Sequence, residues 1–352
     1  MNNEKSQFYD GTKLLSLKDI NGCRPEIYIC TSNRSAGKTT FFNKLCVNKF
    51  LKNSEKFMLL YRFNYELDDV AEKFFKDIKA LFFPGYNMYS EKRSKGIYHE
   101  LYIVTPKDEK LSCGYATALN SSDQIKRNSH FFSDVQRMIF DEFQSEVNHY
   151  CNDEVKKFIS VHTSVARGSG KQSRFVPVYM ISNPVSIVNP YYIELGISER
   201  LASDTHFMRG NGWVLEQGHN AGAAAALQGS AFNKAFENNN YMEYNTQGVY
   251  LNDNLAFIEK PSGPNRYYAT IRYKGKDFAI RKYSETGILY CDKSPDYSFP
   301  LKISVTTPDH NINYVMLKSN DMVISNIRYF FEKGCFRFKD LECKEAVIKL
   351  IH

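Results

Sequence analysis

Eight residues constrain this chain more than any others: Ser32-Asn33-Arg34-Ser35-Ala36-Gly37-Lys38-Thr39. They follow a short apolar run, Glu26 to Thr31, which reads as a buried strand. They precede Thr39 to Lys52, where Phe41, Phe42, Leu45, Cys46 and Phe50 recur at helical spacing. A strand, a small-residue loop ending in Gly-Lys-Thr and a helix make the phosphate-cradling unit of an α/β nucleotide-binding fold. Its backbone N–H groups and the helix N-terminus form an anion nest. The pattern G-x-x-x-x-G-K-[ST] is met except at its first position, where Ser32 replaces glycine. The sequence therefore predicts that Ser32 to Lys38, with Thr39 and Thr40, bind ATP. Lys38 reaches the β- and γ-phosphates, and Thr39 ligates Mg²⁺.

A second apolar strand, Phe57 to Tyr61, precedes a helix expected over Tyr65 to Phe83. Gly85 to Gly96 reads as a basic loop and Tyr98 to Val104 as a strand. Met138 to Phe140 then leads into Asp141-Glu142. An apolar strand ending in adjacent carboxylates assigns Asp141 to the Mg²⁺ shell and Glu142 to orienting the attacking water. The gap between Lys38 and Asp141 leaves room for an extra strand, as in motor-type ATPases. Glu154 to Val165 reads as a helix and Val176 to Ile181 as a fourth core strand. Ser182-Asn183 at its end is either a γ-phosphate sensor or a turn before Pro184. Strands alternating with helices predict a central, mostly parallel sheet.

The texture changes near Arg209. Gly210 to Gly218 is turn-rich, and Ala221 to Phe236 reads as helical, with loops at Asn238 to Asn240 and Asn245 to Gly248. From Leu251 the chain reads as short antiparallel strands, Tyr267 to Lys274, Phe278 to Tyr283 and Gly287 to Cys291, followed by helices over Asp321 to Phe331 and Leu341 to Ile351. The expected organisation is an ATPase domain over 1–209, a helical linker or lid over 210–250, and a smaller α+β domain over 251–352. The chain has 352 residues and a net charge of +7, which suits a polyanionic partner without demanding one. Its eight cysteines show no C-x-x-C spacing and read as reduced thiols. No apolar stretch is long enough to span a membrane. Basic residues near the expected site are Arg34, Lys126, Arg127, Arg167, Lys171 and Arg174. Arg167 and Arg174 flank a Gly-rich loop and are candidates for an arginine offered to a neighbour's phosphates.

The loop S-N-R-S-A-G-K-T, the box I-F-D-E-F from Ile139 to Phe143 and the run S-N-P-V-S-I-V-N-P-Y-Y from Ser182 to Tyr192 resemble the DNA-packaging ATPases of phi-29-type tailed phages, relatives of terminase-type motors. The resemblance covers the ATPase half well and the C-terminal third loosely. It implies a homo-oligomeric ring, a pentamer, docked on the portal of an empty procapsid in the host cytoplasm. There it drives double-stranded DNA inward with ATP, in some members with a packaging RNA. It implies that the C-terminal domain is a vestigial RNase H-like nuclease. It matches Arg167 to the family's neighbour-acting arginine; by position, Arg174 is the nearby alternative, and Arg34, within the loop itself, is expected to act in cis. It matches Lys126 or Arg127 to a basic residue ahead of the Asp141-Glu142 strand, and both are expected to face DNA.

Three rival readings are set apart by specific residues. A large terminase with an active nuclease needs converging carboxylates for two-metal cleavage. The strand Tyr267 to Lys274 has none, and Asp277 and Asp292 are expected in or near turns. A nucleotide kinase leaves the basic loops and the β-rich second domain unexplained. A non-hydrolysing switch does not account for Glu142.

Overall fold

The computed structural model describes residues 8–168, 170–202, 205–236, 244–245, 250 and 256–352. Ser169 of the Gly-rich loop, the loops expected at 238–240 and 246–248, and the expected domain start at Leu251 lie outside them.

The chain forms two compact units: 1–143, 156–184 and 202–249 make the first, and 144–155, 185–201 and 250–352 the second. The units are discontinuous, in contrast to the single cuts expected after residues 209 and 250. The chain leaves the first unit directly after Phe143 and again after Pro184, which are the ends of the two segments carrying Asp141-Glu142 and Ser182-Asn183.

A nine-stranded sheet organises the first unit. Its strands are β1 (Ile27–Thr31), β2 (Lys56–Tyr61), β3 (Asn87–Arg93), β4 (Tyr98–Val104), β5 (Lys110–Ala118), β6 (Val135–Asp141), β7 (Val178–Ser182), β8 (Phe207–Gly210) and β9 (Trp213–Gln217). They run in the order β3-β4-β5-β2-β6-β7-β1-β9-β8. The neighbours from β5 to β9 pair in parallel, and β3-β4-β5 and β8-β9 pair antiparallel at the two edges. The chain is thus an α/β protein with a mostly parallel central sheet. β1, β2 and β7 are apolar almost throughout because helices cover a parallel sheet on both faces. The helix Lys38–Asn53 buries Phe42, Asn43, Cys46, Val47 and Phe50. Helix Val70–Phe82 buries Val70, Ala71, Phe74, Phe75 and Ile78 at the 3.6-residue period.

Two expectations fail here. The segment 85–96 is not a loop: β3 occupies Asn87–Arg93. Its polar sequence hides it, because it is an edge strand held by cross-strand side chains instead of core burial. Tyr89 stacks on Tyr102 at 5.4 Å, and Arg93 donates to Glu100 at 3.0 Å and to the Tyr102 hydroxyl at 2.7 Å. Nor does 210–218 belong to a helical linker. Trp213–Gln217 is a sheet strand parallel to β1, with Ile27 beside Trp213. The predicted helix over Ala221 to Phe236 is present as two pieces, Ala221–Gly229 and Ala231–Ala235.

The second unit is built on a five-stranded mixed sheet, β13-β10-β11-β12-β14. The strands are β10 (Arg266–Tyr273), β11 (Lys276–Tyr283), β12 (Ile288–Asp292), β13 (Lys302–Ser304) and β14 (Phe336–Phe338). Helices Met322–Glu332 and Leu341–Ile351 pack on the face formed by Ile271, Phe278, Ile280, Leu289 and Cys291. The β10–β11 turn carries Lys274 and Gly275, both at positive φ, which glycine adopts without the Cβ clash.

Candidate active site

β1 delivers the loop Ser32 to Gly37 to the N-terminus of the helix Lys38–Asn53. Two loop residues take left-handed backbone, Ser35 (φ 59°) and Gly37 (φ 96°), while Ser32 does not. Glycine's conformational freedom is therefore not needed at the position where this sequence departs from the pattern. The serine hydroxyl has its own role. The Lys38 ammonium donates to the Ser32 hydroxyl at 3.0 Å, to the Ser32 and Asn33 carbonyls at 2.9 and 3.2 Å, and to Asn183 Oδ1 at 3.2 Å. Lys38 is buried, and desolvation pulls its ammonium below the ordinary lysine value, opposed by the carboxylates of Asp141 and Glu142.

β6 delivers the acidic pair. The Thr39 hydroxyl donates to Asp141 Oδ2 at 2.9 Å, bringing together the two oxygen ligands assigned to Mg²⁺. Burial raises the Asp141 carboxyl above its usual range, opposed by the Thr39 hydroxyl, the Glu142 N–H at 3.0 Å and the Lys38 charge. A hydroxyl and a carboxylate side by side suit a hard cation that completes its shell with water and phosphate oxygens. Among the described residues no three His, Cys, Asp or Glu side chains gather as an all-protein metal cage. Glu142 is exposed at the mouth with left-handed backbone, φ 54°.

These groups surround one cavity of about 280 Å³, lined by Arg34 to Thr40, Asp141, Glu142, Ser182 and Asn183, with Phe8 at its rim. All the predicted nucleotide and metal residues from Arg34 to Thr40, with Asp141, Glu142 and Asn183, meet there. Ser32 and Asn33 support it from behind. Ser182-Asn183, read from the sequence as a sensor or a turn, lies at the cavity, where Asn183 Oδ1 accepts from the loop lysine.

Residues that the sequence did not single out hold the loop in place. Asn33 and Asn220 exchange side-chain to backbone hydrogen bonds at 3.1 and 2.8 Å. The Gly218 N–H donates to the Thr31 carbonyl at 2.8 Å, tying the end of β9 to the start of the loop. The Tyr9 N–H donates to the Ala36 carbonyl at 2.8 Å, and its hydroxyl donates to Glu216 at 2.5 Å. Arg62, at the end of β2, donates to the backbone carbonyls of Glu142 and Phe143. No motif marks these positions, because each acts through backbone groups brought close only by strand order.

A family model for the podovirus DNA encapsidation protein (Gp16) matches residues 3–352. The chain belongs to that family. It is 25% identical over 351 residues to the DNA packaging protein of Bacillus phage phi29, covering 99% of this chain and 98% of that one. Among solved structures it is similar to the bacteriophage Phi-29 viral genome packaging motor assembly, with 23% identity, a TM-score of 0.56 and coverage of 98% and 97%. It is also similar to the Phi-28 gp11 DNA packaging motor, with 16% identity, a TM-score of 0.58 and 98% coverage of both chains. At these identities the structures establish the shared fold. Family membership carries the function, viral DNA packaging, and the terminase reading is not favoured.

The remaining candidates of this encapsidation-family chain divide by environment. Arg34 is exposed and lines the cavity. Arg167 is exposed beside a turn in which Gly168 and Lys171 exchange backbone hydrogen bonds. Arg174 corrects its expectation as a trans arginine. Its guanidinium is spent on the carbonyls of Val135 (2.8 Å), Val165 (2.6 Å) and Phe132 (3.4 Å) within its own unit. Lys126 and Arg127 are exposed on the last turn of the helix Ser122–Arg127. In the second unit, Asp277 lies at the start of β11, next to the Lys274-Gly275 turn, and Asp292 is the last residue of β12, so both are near strand ends as expected. Asp277 accepts a two-pronged contact from Arg272 at 2.9 and 3.2 Å and a Tyr314 hydroxyl at 2.9 Å. Asp292, 2% exposed, accepts from Arg281 at 3.1 Å.

Proposed function

We propose that this chain hydrolyses ATP to drive double-stranded DNA into a procapsid. It does so as a homo-oligomeric ring, a pentamer, docked on the portal in the host cytoplasm. The observation that carries the ATPase reading is the convergence of Lys38, Thr39, Asp141 and Glu142 on one cavity, in a chain whose family packages DNA.

The geometry supports a division of labour. Lys38 exchanges its loop acceptors for phosphate oxygens when ATP binds, and its contact with Asn183 makes the end of β7 responsive to that exchange. Thr39 and Asp141 would hold Mg²⁺, which would supply positive charge to offset that of the phosphates. Glu142 orients the attacking water, and Arg34 acts on the phosphates from the same subunit. The exposed Arg167 is offered to the ATP of a neighbouring subunit, where a guanidinium fork matches phosphate oxygens. Lys126 and Arg127 face DNA and contact its phosphates irrespective of sequence. The second unit serves docking, to the portal or to a packaging RNA, as a nuclease-like domain whose acids are held by arginines.

The test is steady-state ATP hydrolysis with and without duplex DNA. Unrelated duplexes should stimulate turnover alike, and the stimulation should fade as salt rises. Turnover indifferent to duplex DNA, or stimulated by one short sequence at high salt, contradicts translocation.

A further inference from the structure

We infer that Arg62 is a positioning residue for Glu142, a role that deepens the hydrolysis reading above and rests on it. Glu142 sits at φ 54°. Left-handed backbone costs a non-glycine residue about 1–2 kcal/mol, and such a conformation persists only where its surroundings hold it. Asp141 Oδ1 accepts the N–H of Glu142 at 3.0 Å, and the Ile181 carbonyl accepts the N–H of Phe143 at 3.2 Å. The carbonyls of both residues point to Arg62. Nη2 donates to the Phe143 carbonyl at 2.7 Å, and Nη1 and Nη2 both approach the Glu142 carbonyl at 3.4 Å.

Arg62 is itself fixed. It is 6% exposed, and its guanidinium lies 5.7 Å from the Phe140 ring centre. Glu66 Oε2 accepts its N–H at 2.9 Å together with the N–H of Phe63 at 2.6 Å, and its carbonyl accepts the Asn120 N–H at 3.2 Å. β2 and β6 are sheet neighbours, so this anchor stands beside the strand end it holds. A planar guanidinium fork holds the two successive carbonyls in a fixed relative geometry, where a flexible ammonium offers only a point charge. With the two carbonyls held, the peptide after Glu142 keeps its direction and the carboxylate stays at the cavity. Arg62 is not among the residues that line the cavity. It acts through Glu142.

The test is a double-variant cycle on the full chain with Arg62→Ala, Arg62→Lys and Glu142→Gln, measuring ATP affinity and turnover separately. Arg62→Ala should keep ATP affinity and lower kcat on the order of 10²-fold, the loss expected of a displaced catalytic group. Arg62→Lys should fall between Arg62→Ala and the wild type. Adding Arg62→Ala to Glu142→Gln should lower turnover no further, because the group it positions is gone. Multiplicative loss in the double variant overturns the inference, as does a loss of ATP affinity in Arg62→Lys. Full turnover in Glu142→Gln alone overturns the reading of Glu142 and the inference together. If Arg62→Ala fails to fold, the Arg62→Lys arm of the cycle decides in the same way.

Discussion

The two units each carry a pair of carboxylates at strand ends or edges, and they treat them in opposite ways. In the first, Asp141 meets a threonine hydroxyl at the wall of a cavity and Glu142 is presented at its mouth. In the second, Asp277 and Asp292 are engaged by Arg272 and Arg281. A carboxylate facing a cavity can exchange its partners for a cation and phosphate. One locked to a half-buried guanidinium can exchange them only by leaving that cation without its partner. The contrast shows that an acidic residue on a strand is a weak indication of chemistry until its partners are known.

The largest effects expected belong to the first unit. Lys38→Ala should abolish detectable ATP binding, measured by equilibrium titration with a fluorescent nucleotide. Retained binding breaks the comparison at its root. Arg167→Ala should lower turnover on the order of 10³-fold. Mixed with Glu142→Gln protein it should regain activity, since a subunit with Glu142 intact borrows the neighbour's arginine. No regain, with mixed assembly confirmed, places Arg167 outside a trans role.

The second unit should respond in stability instead. Asp292→Asn leaves Arg281 without its carboxylate and should cost about 1–2 kcal/mol of unfolding free energy in denaturant titration. Turnover should stay unchanged, and the unaltered chain should leave plasmid DNA intact in Mn²⁺. Metal-dependent nicking that vanished with Asp277→Asn or Asp292→Asn would revive the terminase reading. The smallest effect belongs to the basic helix. Lys126→Ala and Arg127→Ala should each lower the slope of log affinity against log salt for duplex DNA by about 1, equally for all sequences.

Much of the first unit was legible in the sequence, because parallel strands buried on both faces read as apolar runs. The four runs at β1, β2, β6 and β7 were found, and with them the loop and the acidic pair. β3 escaped because its contacts are polar and cross-strand. β9 escaped because its apolar part, Trp213 to Leu215, is too short to separate from a turn. The loop Ser32 to Thr40 was legible because its residues are contiguous, and the acidic pair because it ends an apolar strand. Arg62, Asn220 and Tyr9 were not, since each meets the site far from it in sequence and through a hydrogen bond with a backbone group on one side, which no side-chain pattern records.

The most direct test of the account compares ATP affinity and single-turnover hydrolysis in Glu142→Gln with those of the wild type. The account predicts undiminished affinity, because Lys38 and the loop N–H groups bind the phosphates. It predicts hydrolysis slowed by about 10²- to 10⁴-fold, the span of a lost general base. Equal loss of affinity and hydrolysis, or hydrolysis at the wild-type rate, would contradict it.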